Sequence, residues 1–157
     1  MQLAEHVGAT VRRADKLTSL SKLEELEALQ PGAFSACTFH IRGKPVVVYT
    51  PLASRGRMQS DIAHEVAHIL LEHEVQSVQQ LDGISFFTCD PDEEQEANWA
   101  AGCLLLPRKL LYVAADQGLS SEDIANEYGV SRSMADFRLR ATGVLRQIEA
   151  SNRRPWM

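Results

Sequence analysis

The stretch DIAHEVAHILLEHE, residues 61–74, sets His64, Glu65 and His68 among Ala63, Val66, Ala67, Ile69, Leu70 and Leu71. On a helix, residues four apart leave the same face one turn apart, so the two imidazoles can converge on one ion. Glu65 follows the first histidine, where its carboxylate can reach water beside that ion. This is H-E-x-x-H, and it suits zinc: neutral imidazole is a good donor, and a catalytic site keeps three protein ligands and one open position. Bound zinc brings the pKa of water toward about 7, and a nearby carboxylate can take the proton. The pentapeptide also arises by chance in helices whose histidines only hydrogen-bond in a core. The apolar surroundings favour the ion, because buried ionisable groups need a partner or a metal.

A third ligand is required. A glycine three residues and a histidine six residues after His68 would supply one, but those positions hold Leu71 and Glu74. His73, five residues on, would lie about 140° around a continuing helix and is expected at the surface. A carboxylate from a second helix remains. Asp92, Glu93, Glu94 and Glu96 open such a helix 24–28 residues after His68. Glu94 and Asn98 share a face, so Glu94 can ligate while Asn98 hydrogen-bonds a ligand histidine; Glu93 is the nearer rival and Glu96 points away.

The elements that must hold these residues follow from periodicity. Leucines 17, 20, 23, 26 and 29 predict an amphipathic helix within residues 11–30, ending at Pro31-Gly32. Phe34 to Tyr49, with RGKP in the middle, reads as a β-hairpin. The motif helix follows, with Ser60 or Asp61 as possible caps, then a short strand at 84–88. A helix capped by Asp92 runs to Pro107, with Trp99 expected to pack it on the motif helix. Further helices are expected at 108–116, 121–128 and 131–149. The fold class is α+β: a small, mostly antiparallel sheet with helices on one side.

The chain has 157 residues, 45% hydrophobic and 24% charged, which fits one globular domain. No apolar run is long enough for a membrane span. The N-terminus carries charges from the start, so no secretory leader is expected. Cys37, Cys89 and Cys103 are an odd number without repeating spacing, which points to reduced thiols in a cytoplasm. Cys37 and Cys103 read as core; Cys89 is a candidate redox switch or stray ligand. The net charge of −5 disfavours nucleic acid, despite arginines at 132, 138, 140, 146, 153 and 154.

Three segments in order, HEVAH, EEQEANWAAGCLLLP and IANEYGVSRSMADFRLRATG, resemble the ImmA/IrrE family of metallopeptidases over roughly residues 45–142. The family pattern places Glu94, Glu96, Ala97, Asn98, Ala100, Ala101, Leu104, Leu105 and Pro107 in register. Trp99 stands where phenylalanine is usual, Leu106 where methionine is, and Gly102-Cys103 also depart. The resemblance implies a gluzincin-like fold with His64, His68 and Glu94 on zinc and Glu65 as base. Within a single domain, an N-terminal helical segment (1–32) outside the resemblance is expected to precede a zincin-like core (33–116), a helix-turn-helix-like element (117–150) and a tail (151–157). The resemblance also implies a cytoplasmic anti-repressor protease acting on a DNA-binding repressor.

Peptide hydrolysis also needs a substrate strand and an oxyanion donor. Pro45–Tyr49 is the expected edge strand. Arg138, Tyr49, Tyr112 and Tyr128 are the candidate donors. Two other functions compete. Residues 120–143 could form a DNA-binding helix pair whose recognition helix starts at Ser131 and offers Arg132, Arg138 and Arg140. A metal-stabilised module could instead sequester a repressor without cutting it.

Overall fold

The computed structural model describes residues 2–73, 78–81, 84–87 and 90–152, with backbone alone for 78–81 and 84–87. Helix α1 (Gln2–His6) precedes strand β1 (Thr10–Arg13), a 3-10 turn (Ala14–Lys16) and helix α2 (Leu20–Leu29). Strands β2 (Ala36–Ile41) and β3 (Lys44–Tyr49) follow, joined at Arg42 and Gly43. Both turn residues have positive φ, 53° and 74°, as a tight hairpin turn demands. The sheet order is β1-β3-β2, parallel between β1 and β3 and antiparallel between β2 and β3.

Three sequence expectations change here. The sheet is mixed, because residues 10–13 form a strand against 46–49 rather than the start of a helix. β3, the expected edge strand, is central; β1 and β2 are the edges. Helices cover both faces of the sheet. Leu23 of α2 packs with Val46 and Val48, while Thr38 of β2, paired with Val47, touches Glu65 from the opposite side. A strand with a neighbour on each side and cover on each face must be apolar throughout, which explains VVV at 46–48.

Glu65 belongs to helix α3 (Arg55–Leu70), capped by Ser54, whose side chain accepts from Arg57 N. Ser60 is therefore not a cap; it is buried and accepts a hydrogen bond from Ser131 N at 2.9 Å. The N-terminal segment docks on α3: Ala4 and Ala9 pack on Val66. A separate two-stranded ribbon pairs β4 (Val78–Leu81) with β5 (Ile84–Phe87).

Helix α4 (Pro91–Leu105) starts at Asp90, whose side chain accepts from Asp92 N; Pro91 fills the first helical position, so the cap lies two residues before the expected one. α5 (Arg108–Asp116), α6 (Ser121–Tyr128), α7 (Arg132–Thr142) and α8 (Val144–Asn152) complete the chain. Gly143, at φ 66°, divides the helix expected over 131–149. The main core joins α3 to α8 through Ala67, Ala101, Leu106, Leu111, Ile124, Ala135 and Val144.

Two close approaches fix the α6–α7 pair on this core. A β-carbon at Gly56 would sit 2.3 Å from the Val130 carbonyl oxygen, so glycine lets the start of α3 abut the α6–α7 turn. A β-carbon at Gly102 would sit 2.4 Å from Arg138 Cδ, so glycine here makes room for the arginine stem.

Candidate metal centre

Alanine brings the two site helices together. Ala63 and Ala67 on α3, and Ala97 and Ala101 on α4, are buried in one cluster. Side chains this small let helix axes approach closely. Glu94, Ala97 and Ala101 form one row at i, i+3 and i+7, so the face that meets α3 carries Glu94. His64 Nε2 lies 3.2 Å from Glu94 Oε2, and His68 Nε2 lies 3.2 Å from Glu94 Oε1. The two Nε2 atoms are 3.1 Å apart. Among the described residues, these three form the one cluster able to hold a metal ion, and Glu93 is not in it.

The separations test the fit. Bonds of about 2.0–2.1 Å in a tetrahedron put ligand atoms roughly 3.3–3.4 Å apart. The two nitrogens are 3.1 Å apart and each meets a different Glu94 oxygen at 3.2 Å, and with one ligand atom per residue the three lie within 4.8 Å of one another, close to that spacing. Two imidazole nitrogens and a carboxylate are also the donor set of a catalytic zinc site. The residues present fit such an ion.

Glu65 is held by Thr38, whose Oγ1 donates to Oε2 at 2.6 Å. Burial pushes the Glu65 carboxyl up from its ordinary range; the Thr38 hydrogen bond and His64 oppose the rise, while Glu94 and Asp61 add to it. Burial holds His68 below the usual imidazole range, and His64 lowers it further, against the pull of Glu94. Asp61 is also raised by burial, against its ion pair with Arg57 at 2.9 Å. Burial, with Glu65 nearby, pushes the Cys37 thiol up to about 11, which leaves it unreactive. Cys103, expected in the core, is exposed, and Cys89 lies outside the described residues.

A cleft of about 800 Å³ opens beside His64 and Glu94. Arg57 and Asp61 line it from α3, Asn98 from α4 and Phe137 from α7. Asn98 is exposed there and makes no hydrogen bond to either site histidine, unlike the role expected of it. His73 is the converse. Expected at the surface, its side chain is 7% exposed, with Nδ1 2.9 Å from His68 Nδ1 and Nε2 3.3 Å from Glu96 Oε2. The 140° argument assumed a helix running through residue 73, whereas α3 ends at Leu70.

The oxyanion candidates scatter. Arg138 is buried at 2% exposure and donates from Nε and Nη2 to the Leu106 carbonyl at 3.2 and 3.1 Å. That carbonyl ends α4, where the helix dipole favours a cation. Trp99 lies 6.0 Å from the Arg138 guanidinium carbon and 5.6 Å from the Phe137 ring, so it packs on α7 rather than on the motif helix. Tyr112 and Tyr128 line shallow clefts against α5, away from the histidines. Tyr49 ends β3, opposite Ala36 and Arg13, and does not line the site cleft.

Two imidazoles and a carboxylate converging beside a half-buried glutamate define a metallopeptidase type of site. Residues 4–140 match the model of the Peptidase_M78 family, described as the IrrE N-terminal-like domain, and the chain belongs to that family. The matched span begins at residue 4, within α1, and so takes in β1 and α2, which lie outside the resemblance read from the sequence. No curated protein and no solved structure matches the chain. Among the described residues, no helix is long and apolar enough to cross a membrane.

Proposed function

We propose that this chain is a zinc-dependent endopeptidase that cuts a DNA-binding repressor in the cytoplasm. The observation that carries the reading is the approach of His64 Nε2, His68 Nε2 and Glu94 to within 3.2 Å of one another. His64, His68 and Glu94 would hold the ion. When bound, zinc supplies Lewis acidity: it acidifies water near neutral pH and polarises a peptide carbonyl.

The chain does the rest. Glu65, raised by burial, accepts the proton of the attacking water and returns it to the leaving amine. Thr38 fixes the Glu65 carboxylate through one oxygen and leaves the other free. Thr38 sits on the edge strand β2, so a substrate segment adding to β2 would run past Glu65. Phe39 and Ile41 are exposed on that strand.

The repressor as target rests on the family resemblance. The DNA-binding reading gains nothing from the helix placement. Arg138 is buried, and Ser133, Met134 and Phe137 of α7 line the site cleft. Incubation with zinc and a candidate helix-turn-helix repressor decides between cutting and sequestering. Discrete fragments by mass spectrometry, absent with Glu65→Gln, are expected. Repressor release without fragments would leave sequestering as the function.

A further inference from the structure

We propose that His73, backed by Glu96, is a positioning residue that fixes the tautomer and orientation of His68; the zinc part of this claim rests on the function proposed above. The argument starts where α3 stops. Leu71 caps the helix and Glu72 takes φ 56°, the left-handed conformation that glycine normally supplies at this position. Glu72 N then donates to the Ile69 carbonyl at 3.2 Å and His73 N to the His68 carbonyl at 3.0 Å. These two bonds are the Schellman pair, and they turn the chain back on itself. The reversal lays the His73 ring edge-on against His68, with centroids 5.0 Å apart.

The two sides of a neutral His68 ask for different tautomers: Glu94 Oε1, 3.2 Å from Nε2, would accept from Nε2–H, whereas the shorter contact to His73, 2.9 Å between the Nδ1 atoms, asks for Nδ1–H once His73 donates to Glu96. An ionised Glu96 only accepts, so His73 must donate to it from Nε2. A neutral His73 therefore has a lone pair at Nδ1. The 2.9 Å contact between the two Nδ1 atoms requires His68 to donate from its own Nδ1. His68 Nε2 then gives up donation to Glu94 and keeps a lone pair that can accept from His64 Nε2, 3.1 Å away, or meet an ion. A free imidazole in water is not held in this form. The relay selects the tautomer that can ligate, and burial of His73 at 7% exposure keeps water from replacing it. Ligand histidines are typically steered this way by a group on the other ring nitrogen. The residues after the motif supply that group here.

The first test needs no metal. Long-range nitrogen–proton spectra of the metal-free protein at neutral pH should show His68 protonated at Nδ1 and His73 at Nε2. A wild-type His68 protonated at Nε2 overturns the proposal, whatever the variants do. The second test is zinc affinity by competition with a chromophoric chelator. His73→Phe, which fills the space without a nitrogen, should weaken zinc binding about 10–100-fold. His73→Asn, which restores an acceptor, should recover most of the loss, and Glu96→Gln should show a smaller one because Glu96 is exposed. A folded His73→Phe that binds zinc within about two-fold of wild type refutes the positioning role. Should wild-type protein bind no zinc, the proposed function fails, while the tautomer result still judges the relay by itself.

Discussion

The α3–α4 seam and the α4–α7 seam both bury polar side chains, and they treat them in opposite ways. Between α4 and α7, Arg138 is anchored to the Leu106 carbonyl and lies beside Trp99. Its charge is answered by the end of a helix, so the group holds the fold together. Between α3 and α4, His64, His68 and Glu94 point lone pairs at one another. Such groups gather stably only around something positive, a proton or a metal ion. The contrast separates a side chain anchored through two nitrogens from groups that await a cation, and burial alone does not: Arg138 is 2% exposed, with Nη1 left without a hydrogen-bond partner among the described residues, yet Nε and Nη2 tie it to the end of α4.

The largest effect that sharpens this contrast is chemical. Glu65→Gln should cut hydrolysis by about 10²–10⁴-fold while zinc affinity stays within about two-fold of wild type. Joint loss of metal and activity would make Glu65 part of the ligand set instead. Arg138→Ala should lower stability by about 2–4 kcal/mol in urea unfolding, with activity per folded molecule retained. A fall in kcat at unchanged midpoint would return Arg138 to catalysis. Gly56→Ala forces α3 away from the Val130 carbonyl and should cost about 1–3 kcal/mol.

A pH profile probes the seam more finely. As the proposed base, Glu65 can act only when ionised, so activity is expected to fall as pH drops through its raised pKa. The Thr38 hydrogen bond lowers that pKa, so Thr38→Val should move the acid limb to higher pH. An unmoved limb would assign it to another group. Tyr112→Phe and Tyr128→Phe should leave kcat within about two-fold, since neither tyrosine lines the site cleft.

Much of the site was legible in local spacing. The i, i+4 histidines and the hairpin around Arg42-Gly43 are short-range patterns, and their geometry follows from one element each. Glu94 over Glu93 could also have been read from the row 94, 97, 101, since two alanines mark the face that must approach α3. Long-range features were less accessible. Thr10–Arg13 is a strand only because β3 lies beside it, and four residues carry no period of their own. The burial of Arg138 depends on a missing side chain on another helix, at Gly102. His73 was misplaced because the sequence holds glutamate, not glycine, where the helix reverses.

Metal analysis of protein purified without chelators tests the convergence of His64, His68 and Glu94 most directly. About one zinc per chain is expected, falling to near zero in His64→Ala and Glu94→Ala variants that remain folded. Wild-type protein free of metal and unable to take up zinc, or a Glu94→Ala variant that holds it as tightly as wild type, would contradict the account.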